Sequence, residues 1–308
     1  MIDDEDRDIL RTAHRYLEHV HRLAAEDAAH RQSELAEVIS AHLGVDATTV
    51  PVTTESLPLH RYVDADIALD ELSALGEGRV IGVTGGDQRW HLSASDLLSA
   101  SYARFAPGPI SYETRAVGPG AERRVVAFGV RLFTFDGHPL AVVQRSSARN
   151  VMPPTAQLEL FGADPDATGA ALDEIRRLMV ERSVLRGHVL SFVPTEYGSE
   201  AGATFLARPT VDAEEVVLGD GVLQRIVDHV VGIGDHRDAL RAAGQHLKRG
   251  VLLYGPPGTG KTLTVRHLLS RTAGTTAVVL TGSSVRFVTA AAEIARTFQP
   301  SIVVLEDI

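Results

Sequence analysis

The sequence predicts an α/β protein, in which a helical N-terminal segment and an α+β region precede a parallel-sheet core that is only partly supplied. Three observations carry this. Apolar strand patterns alternate with helical patterns from residue 249 onward, as in parallel α/β sheets. A glycine-rich loop stands between the first of those strands and the helix after it. Farther upstream, Asp136-Gly137 separates two apolar runs, the strongest short-range signal of a hairpin.

Leu10, Ala13, Leu17, Val20 and Leu23 recur at helical spacing with charges between them. A second helix is predicted over residues 33–43 and stops at Gly44. Residues 45–58 read as a connector rich in Thr, Pro and Val. The hairpin pairs residues 125–135 with 139–144. Another strand is expected at 157–161, and a helix at 170–183 with Leu172, Ile175, Leu178 and Met179 on one face. Residues 188–193 read as a strand. Past Arg208-Pro209, two helices at 222–232 and 235–244 are broken at Gly232-Ile233-Gly234. A short strand at 249–254 enters the glycine loop. A helix at 262–270, a strand at 276–280, a helix at 290–298 and a strand at 301–308 follow. The divisions are 1–50, a helical segment; 51–207, an α+β recognition domain; and 208–308, the parallel-sheet core.

Composition narrows the function classes. The chain has 308 residues, 44% hydrophobic and 23% charged, which suits a globular protein of about two domains. Its net charge of −10 argues against a broad nucleic-acid footprint, which needs clustered Lys and Arg. There is no cysteine, so disulfides, zinc-thiolate sites and thiol nucleophiles are excluded. The acidic N-terminus is no secretory signal, and no apolar run is long enough to span a bilayer. The expected location is the cytoplasm. The thirteen histidines form no metal-binding spacing and read as surface or packing residues. Gly85-Gly86 and Gly118-Pro119-Gly120 read as turn glycines.

The residues that carry chemistry lie near the C-terminus. Gly255-Pro256-Pro257-Gly258-Thr259-Gly260-Lys261-Thr262 meets the phosphate-loop pattern G-x-x-x-x-G-K-T in full, with a strand predicted before it and a helix after it. The glycines let successive N–H groups turn toward a phosphate, and the helix adds the positive end of its dipole. Lys261 is expected to reach the β- and γ-phosphates of ATP, and the Thr262 hydroxyl to ligate Mg²⁺. Leu263 completes the nucleotide-binding set. Lysine occurs only at positions 248 and 261, and a compact ammonium fits between phosphates where a planar guanidinium would not. The second motif is an apolar strand ending in Glu306-Asp307. Its first acid is placed to hold Mg²⁺ through water and its second to polarise the attacking water.

With these residues in hand, the stretch Lys248-Arg249-Gly250-Val251-Leu252-Leu253-Tyr254 and the loop after it resemble the AAA family of ATPases, over about residues 211–308. The resemblance implies a P-loop NTPase core that binds ATP and Mg²⁺. It further implies a homo-oligomeric ring, a hexamer, in which hydrolysis remodels or unfolds a protein. The substrate or adaptor would be recognised through residues 1–207. It also implies that Val216-Val217-Leu218-Gly219 packs on adenine, an ordinary strand-to-helix entry being the alternative. Phe287 stands where many relatives carry a pore-loop aromatic, but without the usual following glycine it reads as a packing residue.

Two departures from the family matter. Its second motif ends Asp-Glu, whereas this chain has Glu306 and then Asp307, an order found in branches that resemble the mitochondrial AAA translocases. The family's sheet runs five-one-four-three-two, and the chain supplies only strands one, two and three. Strand four, the sensor residues, the arginine finger and the lid are expected beyond Ile308. The expectation is therefore a piece of a longer protein that hydrolyses ATP poorly alone. Besides a motor, the residues allow an ATP-binding switch with little hydrolysis, or a P-loop ATPase acting on nucleic acid, which the acidic charge disfavours.

Overall fold

The computed structural model describes residues 16, 19, 33–99, 105–146, 155–194 and 201–307. The helix expected around Leu10 to Leu23 lies outside this set except for residues 16 and 19. The chain divides into two compact units. The first comprises Met1–Glu113 and Arg124–Arg182, the second Thr114–Arg123 and Ser183–Ile308.

In the first unit, helix α1 (Glu34–Leu43) forms where the sequence predicts it. Ser33 caps it by accepting from the Ala36 N–H at 3.0 Å, and Gly44 ends it at φ 72°, a conformation that costs glycine little. Strand β1 (Val52–Pro58) follows, then helix α2 (Tyr62–Leu75), β2 (Arg79–Val83), the short α3 (Ala94–Leu98), β3 (Pro107–Gly108) and the start of β4 (Ser111–Gly118), whose residues 114–118 fall in the second unit. The predicted hairpin is β5 (Ala121–Phe135) and β6 (His138–Arg145), with Phe135 opposite His138. Asp136 and Gly137 both take positive φ, 49° and 85°, as a two-residue turn of this hand requires. Strand β7 (Thr155–Gly162) and helix α4 (Pro165–Glu181) complete the unit.

The sheet runs β1-β7-β6-β5-β2-β3, with β4 on β5. Because side chains alternate across a strand, its two faces carry different cores. One face presents Val130, Leu132, Ala141 and Val143 to Leu35, Ile39 and Leu43 of α1 and to Leu97 of α3. The other presents Arg131 and Gln144 to α2. Both faces are covered, which is why residues 125–133 are buried without a break.

Two elements of this unit run against the sequence reading. Residues 45–58 were expected to be connector only, yet 52–58 form β1, antiparallel to β7 with Val52 opposite Phe161. An edge strand has one ladder to satisfy, and of its residues only Leu57 is buried, so no apolar alternation announces it. Helix α2 was not anticipated, because Asp64 and Asp66 fall on its buried side. Their charges are answered locally. Arg61 Nε donates to Asp64 Oδ2 at 2.8 Å, and Arg131 Nη2 to Asp66 Oδ1 at 2.8 Å. Arg131 Nη1 reaches Asp70 Oδ1 at 2.6 Å, and its Nε donates to Gln144 Oε1. Gln144 in turn donates to Tyr62 Oη and to Asp66 Oδ1, both at 3.0 Å. On the opposite face Arg145 pairs with Glu159, which also accepts from the Ala94 N–H that opens α3.

The second unit contains β8 (Val189–Pro194), β9 (Ala201–Leu206) and the helices α5 (Val222–Val230), α6 (Gly232–Asp235) and α7 (Arg237–Ala242). After them come α8 (Lys261–Arg271), β10 (Thr276–Thr281), α9 (Val288–Thr297) and β11 (Ser301–Glu306). Its sheet runs β11-β10-β8-β9. Strand β10 is parallel to both β8 and β11, and β9 is antiparallel to β8. Helix α8 packs Val265 and Leu269 with Val189, Ala277 and Ile302 of three neighbouring strands.

The strand expected at 249–254 is not formed, and Leu252 and Tyr254 are 80% and 88% exposed. A strand needs a neighbour for its backbone groups, and residues 249–254 pair with neither outer strand of this sheet, β11 or β9. The compact units do not follow the 207/208 division: Thr114–Arg123 and Ser183–Ile308 cluster together. Strand β8, assigned from sequence to the α+β region, instead pairs Val189 with Ala277 and Ser191 with Val279 in the second unit's sheet.

The charge network makes a graded prediction. Arg131→Met takes the guanidinium away from the buried Asp66 carboxylate and should cost about 3–5 kcal/mol. Asp70→Ala removes a half-exposed partner and should cost less than about 1 kcal/mol. Trp90, the sole tryptophan, sits in the first unit with its ring 5.0 Å from that of Phe128. Urea melts followed by its fluorescence read both changes.

Candidate phosphate-binding site

The glycine loop is built as its residue types demand. Gly255, Gly258 and Gly260 have φ of 153°, 80° and 85°, values that L side chains rarely adopt. Thr259 Oγ1 donates to the Pro256 carbonyl at 2.9 Å and closes the curl. Lys261 folds back over the loop, its Nζ donating to the Gly255 and Pro256 carbonyls at 2.9 and 3.0 Å. Pro256 and Pro257 remain exposed along the loop.

Helix α8 begins at Lys261 directly behind the loop. Its N-cap is Gly260, which has no side chain to cap with, and no side-chain hydrogen bond serves the cap. The first bond of the helix runs from the Thr264 N–H to the Gly260 carbonyl at 2.8 Å. The N–H groups ahead of it, on Lys261, Thr262 and Leu263, therefore face outward as donors with the positive helix end behind them, a ready site for an anion. Lys261 and Leu263 are half-buried and Thr262 is exposed. Loop, ammonium and helix start thus come together as the sequence predicts, although the strand expected to lead in is absent.

The two acids stand at the end of β11. Glu306 is the last residue of the strand, half-buried and opposite Thr281 of the parallel β10. Asp307 is exposed at φ 55°, a left-handed turn that Asp tolerates better than most residues. Among the described residues, no cluster of three or more His, Asp or Glu side chains is arranged to hold a metal by itself.

A cavity of about 440 Å³ lies beside α8. Val216, Leu218 and Gly219, the stretch singled out from sequence, line it together with Val227 of α5 and His267 and Arg271 of α8. His267 is buried and its Nδ1–H donates to the Val211 carbonyl at 2.8 Å. It stands six residues beyond Lys261, about 9 Å along the helix axis at 1.5 Å per residue. Phe287 is accounted for by packing, with its ring 5.7 Å from that of Phe192 in β8. Sequence reasoning missed Arg208, which appeared only as a boundary residue. Its three carbonyl partners are far apart in the chain and leave no local signal.

Comparison with known proteins agrees with this geometry. Residues 251–308 match the profile of AAA, the ATPase family associated with various cellular activities. The chain is 36% identical over 88 residues to the 26S protease regulatory subunit 6A of Caenorhabditis elegans, covering 28% of this chain and 20% of that protein. It is 41% identical over 98 residues to the ATP-dependent zinc metalloprotease FtsH 2 of Symbiobacterium thermophilum, covering 28% and 16%. Over 125 residues it is 38% identical to the ATP-dependent zinc metalloprotease FtsH of Acidothermus cellulolyticus, covering 33% and 18%. The chain thus spans a fifth or less of the length of these relatives. No described helix is long and apolar enough to cross a membrane. The uncapped helix start behind the glycine loop and the family match fall on the same residues: over 251–308 the chain is similar to the AAA ATPases.

Proposed function

We propose that this chain binds ATP with Mg²⁺ at residues 255–263, and that hydrolysis in the working assembly drives remodelling or unfolding of a protein. The observation that carries the reading is the positive-φ glycine loop, with Lys261 folded over it, standing directly before the uncapped start of α8. Gly255 to Gly260 would wrap the β-phosphate, with Lys261 neutralising charge between the β- and γ-phosphates. Mg²⁺ is commonly held by one or two carboxylates together with phosphate oxygens and waters, and the Thr262 hydroxyl and Glu306 suit that donor set. The ion would supply charge neutralisation on the phosphates. Asp307 would orient and polarise the attacking water. The cavity beside Val216, Leu218 and Gly219 has room for a purine. By analogy with the AAA segment, the chain would act in a homo-oligomeric ring of six, with residues 1–207 recognising a protein substrate or adaptor.

A second reading is favoured by one observation. Asp307 is a methylene shorter than the family's usual Glu and sits exposed at a positive φ. A switch that binds ATP and turns it over slowly would tolerate that arrangement.

Two substitutions test the site, and wild-type turnover separates the readings. Lys261→Ala removes a charge-assisted contact of about 1.5–3 kcal/mol and should weaken ATP binding by about 10–100-fold in calorimetry. Undiminished binding would mean that the nucleotide sits elsewhere. Asp307→Asn should leave affinity within about threefold while lowering turnover by about a hundredfold, the usual scale for loss of a general base. Tight binding with no wild-type turnover, even with protein substrate in the assembled ring, would favour the switch. Turnover stimulated by DNA would point to a nucleic-acid-acting enzyme.

A further inference from the structure

The segment that leaves β9 is fastened to the far end of the helix that begins at the phosphate loop. Arg208 donates from Nη1 to the Leu269 carbonyl at 2.8 Å, and from Nη2 to the Thr275 carbonyl at 2.6 Å and the Gly187 carbonyl at 3.1 Å. These acceptors belong to the last turns of α8, to the turn entering β10 and to the turn entering β8. A planar guanidinium can address three carbonyls at once, whereas an ammonium on a flexible stem has no such fork. Leu269 lies near the C-terminal end of α8, where a cation also meets the negative end of the helix dipole.

Three residues on, the same segment is tied again. The Val211 carbonyl accepts from His267 Nδ1 at 2.8 Å and from Ser270 Oγ at 3.1 Å. The β8 side is equally fixed. The Gly187 N–H donates to Thr276 Oγ1 at 3.0 Å, and the Ala277 N–H to the His188 carbonyl at 2.9 Å. Around this joint Val189, Leu269 and Ala277 form a small buried cluster. The C-terminal half of α8, the base of the β8–β9 hairpin and the start of β10 therefore share one set of hydrogen bonds.

Helix α8 has 11 residues, about 16 Å of hydrogen-bonded rod at 1.5 Å per residue. Lys261 and Thr262 stand at one end, His267 and Leu269 toward the other. A ligand that orders the first turn lowers the opening of the whole helix, and the fastened hairpin must open against a stiffer partner. Coupling of this kind needs no change of shape and reads out as protection of backbone amides.

We infer that Arg208 acts as a clamp through which the β8–β9 hairpin senses occupancy of the phosphate loop, with α8 as the rod between them. Arg208 is a positioning residue and touches no phosphate. The inference rests on the reading that the loop binds ATP, and the test keeps the two apart.

The test is hydrogen exchange of the full chain with and without ATP and Mg²⁺, followed in peptides covering 255–262, 189–194 and 201–206. In the wild type, nucleotide should slow exchange by at least about threefold both at the loop and in β8–β9. In Arg208→Ala the loop should stay protected by nucleotide while β8–β9 no longer responds, with ATP affinity changed by less than about threefold. Arg208→Lys, which keeps the charge and loses the fork, should restore only part of the response. Protection at the loop without any in wild-type β8–β9 would overturn the clamp. So would an Arg208→Ala protein that passes the full response. If no peptide is protected, calorimetry decides what has failed. Absence of ATP binding overturns the loop reading and the clamp together, whereas binding without protection overturns the clamp alone. Should Arg208→Ala fail to fold by circular dichroism, the wild-type and Arg208→Lys comparisons still decide.

Discussion

A buried strand must have both of its backbone edges answered, and the architecture of the second unit depends on that constraint. Strand β10 meets it with β8 on one side and β11 on the other. Residues 249–254 join neither outer edge of this sheet, and their apolar side chains stay largely exposed despite a composition that suits a buried strand. Strand β11, paired on one edge only among the described residues, is correspondingly half-covered, with Val303 and Leu305 open to solvent. The same pairing draws β8 and β9 into this sheet and sets the division between the units ahead of them. It also fixes where α8 rests, because Val265 and Leu269 pack on the side chains that those strands present.

The first unit answers a different demand. Its sheet is covered on both faces, so every polar side chain on its central strands must find a partner inside. Arg131 and Gln144 do so through α2, and Arg145 and Glu159 do so with each other and the start of α3. Paired charges of this kind add little net stability compared with apolar packing, yet removing one member exposes the cost of the other. They tie α2 and α3 to single registers on the sheet. The unit is thus held by apolar clusters for its stability and by ion pairs for its register.

Much of this was legible in the sequence. The curl of the glycine loop was readable because each of its backbone requirements falls on a fixed residue. Glycine is needed at three positive-φ positions, lysine follows, and a hydroxyl comes next. The Asp136-Gly137 hairpin and the ends of α1 were readable for the same reason, since turn and cap chemistry is local. Helix α4 was visible from Leu172, Ile175, Leu178 and Met179, which the structure buries in a row on one side. What stayed hidden was set by partners distant in sequence. Helix α2 carries buried acids that are answered by partners such as Arg61, Arg131 and Gln144, so its pattern resembled no amphipathic helix. Strand β1 exists because β7 offers it an edge. The failure of 249–254 to form a strand and the three-carbonyl grip of Arg208 are likewise decided by neighbours that no window of sequence contains.

The central claim is that the loop ending at Gly260 and the first turn of α8 form the phosphate site. Backbone-amide NMR of the chain titrated with ATP and Mg²⁺ tests it most directly. The account predicts that the amide resonances of Gly258, Gly260, Lys261 and Thr262 move together along one saturating curve, as N–H groups do on acquiring a charged acceptor. A saturating titration in which those four stay still while other residues move would contradict it.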